Sequence, residues 1–524
     1  MKRALAGVIA TVCAAVCLAA DGNSWWKHVE FLADDSLQGR DTGSPGHKRA
    51  AEYVVAEFKK AGLEAAGANG FLQPVMFQTR KIDEAHSSLA LIRDGRTIPL
   101  TLGEDANFRM AVDPAPSVDA PLVFVGHGLS VPEQGINDLE GLDLKGAVVV
   151  YIGSTPRTLP SALQAHFGAA AERWQALRAA GAVGTITIAN PRTVETPWAV
   201  TSPNRLQPAM SLADPALDEY RGQQVAITMN PGHAEMLFEG SGHTFDELLS
   251  LENDGTPLPR FAIPARVAAR IAVTRTQVES QNVAGTLRGS DPSRRNEYVV
   301  LSAHLDHVGV GAPVNGDAIY NGAMDNASGI AAILEVAARL HASGERPARS
   351  LMFLAVTGEE KGELGSRYFA AHPTVPVHSM VANVNTDMFL PLFPLKELMV
   401  LGLDESDLSD DIRAVAEAMH LEIQADPEPQ RNRFVRSDQY SFIRAGIPAL
   451  SMKVGYELNS PEAAVAQRWT AERYHQPSDD LKQPVDRTAA DTYIEVVRRL
   501  GLHIANRPDR PKWNDSSFFK RFAQ

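Results

Sequence analysis

Between residues 298 and 454 short apolar runs alternate with helix-like segments, and this alternation restricts the fold more than any other feature. The runs lie at 298–303, 350–356, 380–386, 398–402 and 448–454; the helix-like segments lie at 328–342, 365–371, 408–420 and 437–445. Runs that are apolar throughout, rather than at every second residue, predict strands buried on both faces. Such strands separated by helices predict an α/β fold, a mostly parallel or mixed sheet covered by helices on both faces. A closing helix is predicted over 488–505. Sheets of this kind bind ligands beyond the ends of their strands.

The chemically useful side chains stand at those ends. The first run leads into His304-Leu305-Asp306-His307 and, past a glycine-rich loop, into Asp325-Asn326. The next two lead into Thr357-Gly358-Glu359-Glu360 and Asp387-Met388, and Tyr474-His475 and Asp479 stand before the closing helix. A lone Glu-Glu pair is ordinarily solvated surface. Several imidazoles and carboxylates, each at a strand end or turn, instead point to one site. Glu359 and Glu360 face different directions, so one can bind metal while the other faces a bound water. A nearby cation makes both ionised forms tolerable.

At 524 residues the chain has room for two or three domains. A net charge of −13 argues against a nucleic-acid surface. Lys2 and Arg3 precede an apolar run over 4–20, followed by Asp21-Gly22-Asn23. That pattern predicts a secretory signal peptide over 1–20, a secreted or periplasmic protein, and no stable membrane insertion after cleavage. Both cysteines, Cys13 and Cys17, lie inside it, so the mature chain is expected to have no disulfide.

Residues 21–112 are expected to form the N-terminal part of the main domain, with a helix over 47–61 and short strands between 70 and 110. Pro114, Pro116 and Pro121 suggest a boundary near 113. The strand-rich block 113–275 has no ligand-spaced cluster and reads as a β-rich insert without catalytic residues. Residues 276–508 form the expected catalytic part, and 509–524 a polar, basic tail.

The chain resembles the metallopeptidases of family M28. The resemblance rests on Ala303-His304-Leu305-Asp306-His307, on the stretch from Asn321 to Gly329, and on Thr357-Gly358-Glu359-Glu360. Asn385-Thr386-Asp387-Met388, Ser437-Asp438-Gln439 and Tyr474-His475 extend it, as does the N-terminal turn Leu37-Gln38-Gly39-Arg40. The insert resembles a protease-associated (PA) domain at 124–128 and 143–146. The family resemblance implies two zinc ions bridged by Asp325, one also held by His304 and Asp387, the other by Glu360 and His475. It implies Glu359 as general base, Tyr474 as a donor to the tetrahedral oxyanion, and a cis peptide at Asp325-Asn326. Imidazoles and carboxylates suit zinc. Two ions activate water, whose proton Glu359 would pass to the leaving amine. Asp306 and Asp479 are expected to orient His304 and His475 through their ring nitrogens. His307 reads as a packed or hydrogen-bonded histidine rather than a ligand. Met324 and Gln439 depart from the family pattern and bear on substrate fit.

The expected activity is removal of N-terminal residues from peptides by an exported aminopeptidase. Arg431, Arg433 and Arg436 keep a carboxypeptidase open, since they could clamp a terminal carboxylate. A glutaminyl cyclase needs one zinc, and a non-catalytic receptor on this fold would lack ligands or the base. Segment 457–473 is expected to rim the site.

Overall fold

The computed structural model describes residues 22–523 except 193 and 195. The expected signal segment at 1–20 lies outside the described residues. Among these no helix is long and apolar enough to cross a membrane.

A large mixed sheet organises the molecule. Its strands are β1 (Leu72–Ile82), β2 (Ala209–Leu212), β3 (Val273–Leu287), β4 (Tyr298–His304), β5 (Ser350–Val356), β6 (Met380–Asn385), β7 (Glu397–Leu401), β8 (Glu422–Ala425) and β9 (Ala449–Val454). They run in the spatial order β2-β1-β3-β5-β4-β6-β9-β7-β8, and the short strand Glu64–Ala65 pairs with β3. At the centre β5, β4, β6 and β9 are mutually parallel. Parallel strands need crossovers, and helices supply them: α3 (Ser328–Ser343) follows β4 and α4 (Leu364–Ala371) follows β5.

Both faces of this centre are apolar, as the runs predicted. Val299, Leu301 and Ala303 pack with Ile330 and Ile333 of α3 and with Tyr493 and Val497 of α8 (Arg487–Asn506). Val300, Met352 and Leu354 point the other way, onto Phe369 of α4 and Phe442 of the short helix Gln439–Arg444. Each Ile or Leu buried in this way contributes roughly 1.5–3 kcal/mol. The termini of α8 follow local chemistry: the Asp486 side chain accepts the Ala489 N–H at 2.9 Å, an N-cap.

A second, eight-stranded sheet lies beside the first. It includes Ser88–Arg93, Arg96–Leu100 and Ala106–Phe108, all before the boundary expected at 113. The prolines do not separate two units. Pro121 lies within the strand Ser117–Phe124, opposite Arg266, where the pairing register shifts. In the other direction, β2 leaves the middle of the expected insert to extend the large sheet. The tail is also more than polar: Trp513 and the fully buried Phe519 pack with Val435, Tyr440 and Ile443. Segment 457–473 contains a helix, Pro461–Glu472, which buries Ala463, Ala466 and Trp469.

Candidate active site

Three neighbouring parallel strands end together and deliver four of the expected residues. His304 is the last residue of β4, Glu359 and Glu360 follow β5, and Asp387 follows β6. Asp325 arrives on the turn before α3, across a cis Asp325-Asn326 peptide, as expected. His475 comes from the loop before α8, in a left-handed conformation at φ 54.

Asp325 lies between two imidazoles. Its Oδ1 is 3.2 Å from His304 Nε2, and its Oδ2 is 3.2 Å from His475 Nε2. On the first side His304 Nε2 also lies 3.3 Å from Asp387 Oδ1. On the second side His475 Nε2 lies 3.1 Å from Glu360 Oε2. His307 joins the second side: its Nδ1–H donates to Glu360 Oε1 at 2.7 Å and is 3.9 Å from Asp325 Oδ2. Two groups therefore present three ligand atoms each within 4.8 Å, His304/Asp325/Asp387 and His307/Asp325/Glu360, with Asp325 common to both. His307 is fully buried and hydrogen-bonded to Glu360, and it belongs to the second group of side chains that could hold a metal ion.

The two acids expected to orient the histidines act elsewhere. His304 Nδ1 does donate to Asp306, but to its main-chain carbonyl, at 3.1 Å. This leaves Nε2 facing Asp325 and Asp387. The Asp306 carboxylate instead accepts the N–H groups of Glu359 and Glu360, at 3.1 and 3.3 Å, and the Thr42 hydroxyl at 3.0 Å. Asp479 likewise accepts from Met324 N–H at 2.9 Å and Asp325 N–H at 3.0 Å, with no bond to His475 among the described residues. A spacing of two or four residues indicates a side of the chain, not which atom is met there.

Arg40 closes the arrangement from the N-terminal segment. Fully buried, it donates to the carbonyls of Leu305 at 3.0 Å, Asn321 at 2.7 Å and Gly322 at 3.0 Å, and to that of Leu32. It joins the turns bearing His304 and Asp325. Burial lowers its pKa to about 10, opposed by Asp479 and Asp306. Neither Arg40, at the end of the turn Leu37-Gln38-Gly39-Arg40, nor Thr42 carries a sequence signal for such a role.

The charges are unevenly held. Burial pushes the Glu359 carboxyl well above the usual carboxylate range; His304 opposes this, while Glu360 and Asp387 add to it. Burial acts the same way on Glu360, but His475 and His307 overcome it and hold that carboxyl low. Tyr474 stacks on His475 with ring centroids 3.9 Å apart. Burial raises its hydroxyl pKa far above the usual phenol value, so it remains a hydrogen-bond donor.

The site opens into a cavity of about 150 Å³. Asp325, Glu359, Asp387, Tyr474 and His475 are among the residues that line it.

Residues 282–501 match the model of Peptidase family M28. Leupeptin-inactivating enzyme 1 of Streptomyces exfoliatus is 28% identical over 224 residues, 41% of this chain and 46% of that protein. The probable glutamate carboxypeptidase VP8 of Zea mays is 28% identical over 365 residues, 66% of this chain and 47% of that protein. The chain thus spans about half the length of these curated relatives. Among solved structures, the aminopeptidase from Aneurinibacillus sp. strain AM-1 shares the fold, with a TM-score of 0.55 at 19% identity over 93% of this chain and 95% of that one.

Proposed function

We propose that this chain, whose residues 282–501 form a peptidase family M28 region, is an exported zinc-dependent aminopeptidase. One observation carries the reading: the Asp325 carboxylate faces a histidine with each oxygen, in the same cavity that Glu359 lines. The donor set fits two zinc ions. His304, Asp325 and Asp387 would hold one, and Asp325, Glu360 and His475 the other. Bound zinc would lower the pKa of the attacking water and polarise the scissile carbonyl.

The chain's own residues supply the rest. Glu359 takes the proton of the attacking water and returns it to the leaving amine. The Tyr474 hydroxyl donates to the carbonyl oxygen as it becomes tetrahedral. The expected PA-like insert meets the main domain through its helix Ser161–Gly168: Ala165 packs with Val435, next to the cavity-lining Arg436, and His166 Nδ1 lies 2.7 Å from the Tyr440 hydroxyl.

Carboxypeptidase action is the second reading, supported by the arginines in the wall. Arg433, however, already pairs with Asp426 at 3.1 Å and Glu428 at 2.5 Å, and Arg431 pairs with Glu428 at 2.9 Å. The test is a panel of free and N-blocked amino-acid amides together with N-blocked peptides that keep a free C-terminus, with chelator and zinc add-back. Metal-dependent cleavage confined to free-amine substrates supports an aminopeptidase. Cleavage confined to blocked peptides with a free C-terminus supports the second reading.

A further inference from the structure

The cavity floor is a two-strand surface. β7 and β9 pair antiparallel, Met399 opposite Lys453 and Leu401 opposite Ser451. Alternation sends Leu398, Val400, Leu450 and Met452 into the main core, and turns Met399, Leu401, Ser451 and Lys453 toward the cavity. Lys453 is thus the one cation on a sheet face that otherwise presents Met399, Leu401 and Ser451. Leu390, Phe393, Val454 and Tyr456 line the cavity with it.

Four cations line this cavity: Arg431, Arg433, Arg436 and Lys453. The first two are held by Glu428 and Asp426. Among the described residues no carboxylate forms an ion pair with either Lys453 or Arg436; Arg436 donates only to the Arg431 carbonyl, at 3.4 Å. Burial lowers the Lys453 ammonium from its usual range, with Asp387 opposing. Yet Asp387, on the reading above, is committed to metal. A partly buried ammonium among apolar walls, without a carboxylate of its own, is left to be satisfied by whatever enters.

We infer that the cavity selects an N-terminal residue with an acidic side chain, glutamyl or aspartyl, whose carboxylate is bound by Lys453 with Arg436 at the rim. The methylenes of that side chain lie against Met399, Leu401 and Val454. This deepens the proposed aminopeptidase reading and rests on it. The same carboxylate chemistry could be supplied by the α-carboxylate of a C-terminal residue, and the experiment separates the two.

The mature protein, loaded with zinc, is assayed on the p-nitroanilides of free glutamate, aspartate, leucine and lysine, and on N-blocked dipeptides ending in glutamate. Wild type is expected to favour the glutamyl or aspartyl anilide over the lysyl one by at least 10-fold in kcat/KM. Lys453→Met should lower the ratio of glutamyl to leucyl kcat/KM by roughly 10- to 100-fold, the range for a hydrogen bond to a charged group. Lys453→Arg, which keeps the charge, should retain most of the ratio and guards against a folding defect in the first variant. Leucyl cleavage without acidic preference, or a ratio unmoved by Lys453→Met, overturns the inference while leaving the aminopeptidase reading intact. Cleavage of the blocked dipeptides alone overturns both, because the carboxylate bound is then the terminal one.

Discussion

Asp306 is bonded to Glu359 through its carboxylate and the glutamate's main-chain N–H, at 3.1 Å. The same carboxylate reaches the N–H of Glu360 at 3.3 Å, and Asp479 repeats the arrangement on Met324 and Asp325. Two buried acids thus fix the backbone beneath three site carboxylates without touching a substrate. Asp306→Asn places an amide where two N–H groups need acceptors. We expect a 10- to 100-fold loss in metal affinity and in kcat, the usual cost of losing such support. Metal content after dialysis, measured alongside steady-state kinetics, checks it. A variant that keeps its metal and its rate would show that the contact is only structural.

The neighbours Glu359 and Glu360 should separate cleanly on mutation. Glu359→Gln removes the proton carrier and leaves the proposed ligands in place, so kcat should fall 10²- to 10⁴-fold with metal retained. Glu360→Gln removes a ligand held by His307 and His475, so metal content itself should fall. Metal analysis of both purified variants distinguishes them. Equal metal loss in the two would contradict the division of labour.

The elements most readily legible in the sequence were those buried on both faces. β4, β5 and β6 sit within a residue of the predicted runs, because a strand covered on both sides is apolar throughout. The helix Pro461–Glu472 was missed because only Ala463, Ala466 and Trp469 are buried on it. Its signal was the Ser460 N-cap followed by Pro461 and Glu462. The proposed ligands stand out in the sequence because each is at a strand end or beside a turn. Their supports were not: Asp306 and Asp479 bind main-chain N–H groups, which have no sequence signature. Lys453 hid in a run that otherwise reads as an ordinary buried strand, and only the pairing with Met399 shows which face it takes.

His307 should matter for metal rather than for chemistry. It donates to one oxygen of Glu360 and leaves the other toward His475. His307→Ala frees that oxygen, so the second metal should bind about 10- to 100-fold more weakly while the first is little changed. Titration with zinc, read by calorimetry, should show the two binding steps move apart. An unshifted second step would show that Glu360 is held by other contacts.

Acid should unfold this protein partly through His47. The ring is fully buried on the helix Pro45–Lys60, next to Ser280, whose hydroxyl is 3.2 Å from its Nδ1. Burial, helped by Arg40, lowers its pKa to about 3 from an ordinary 6.5. The folded state therefore refuses a proton that the unfolded chain accepts below pH 6.5. The stability from this group is complete above that pH and is lost as the pH falls toward 3. At 1.36 kcal/mol per unit, roughly 3 kcal/mol is gone by pH 4.5. His47→Gln has nothing to titrate. It should be less stable at pH 7, where the packed ring is lost, yet its stability should fall less steeply between pH 7 and 4.5. Denaturant unfolding across that range, with chelator present so that metal release does not contribute, compares the slopes. Parallel curves for variant and wild type would place the acid sensitivity elsewhere.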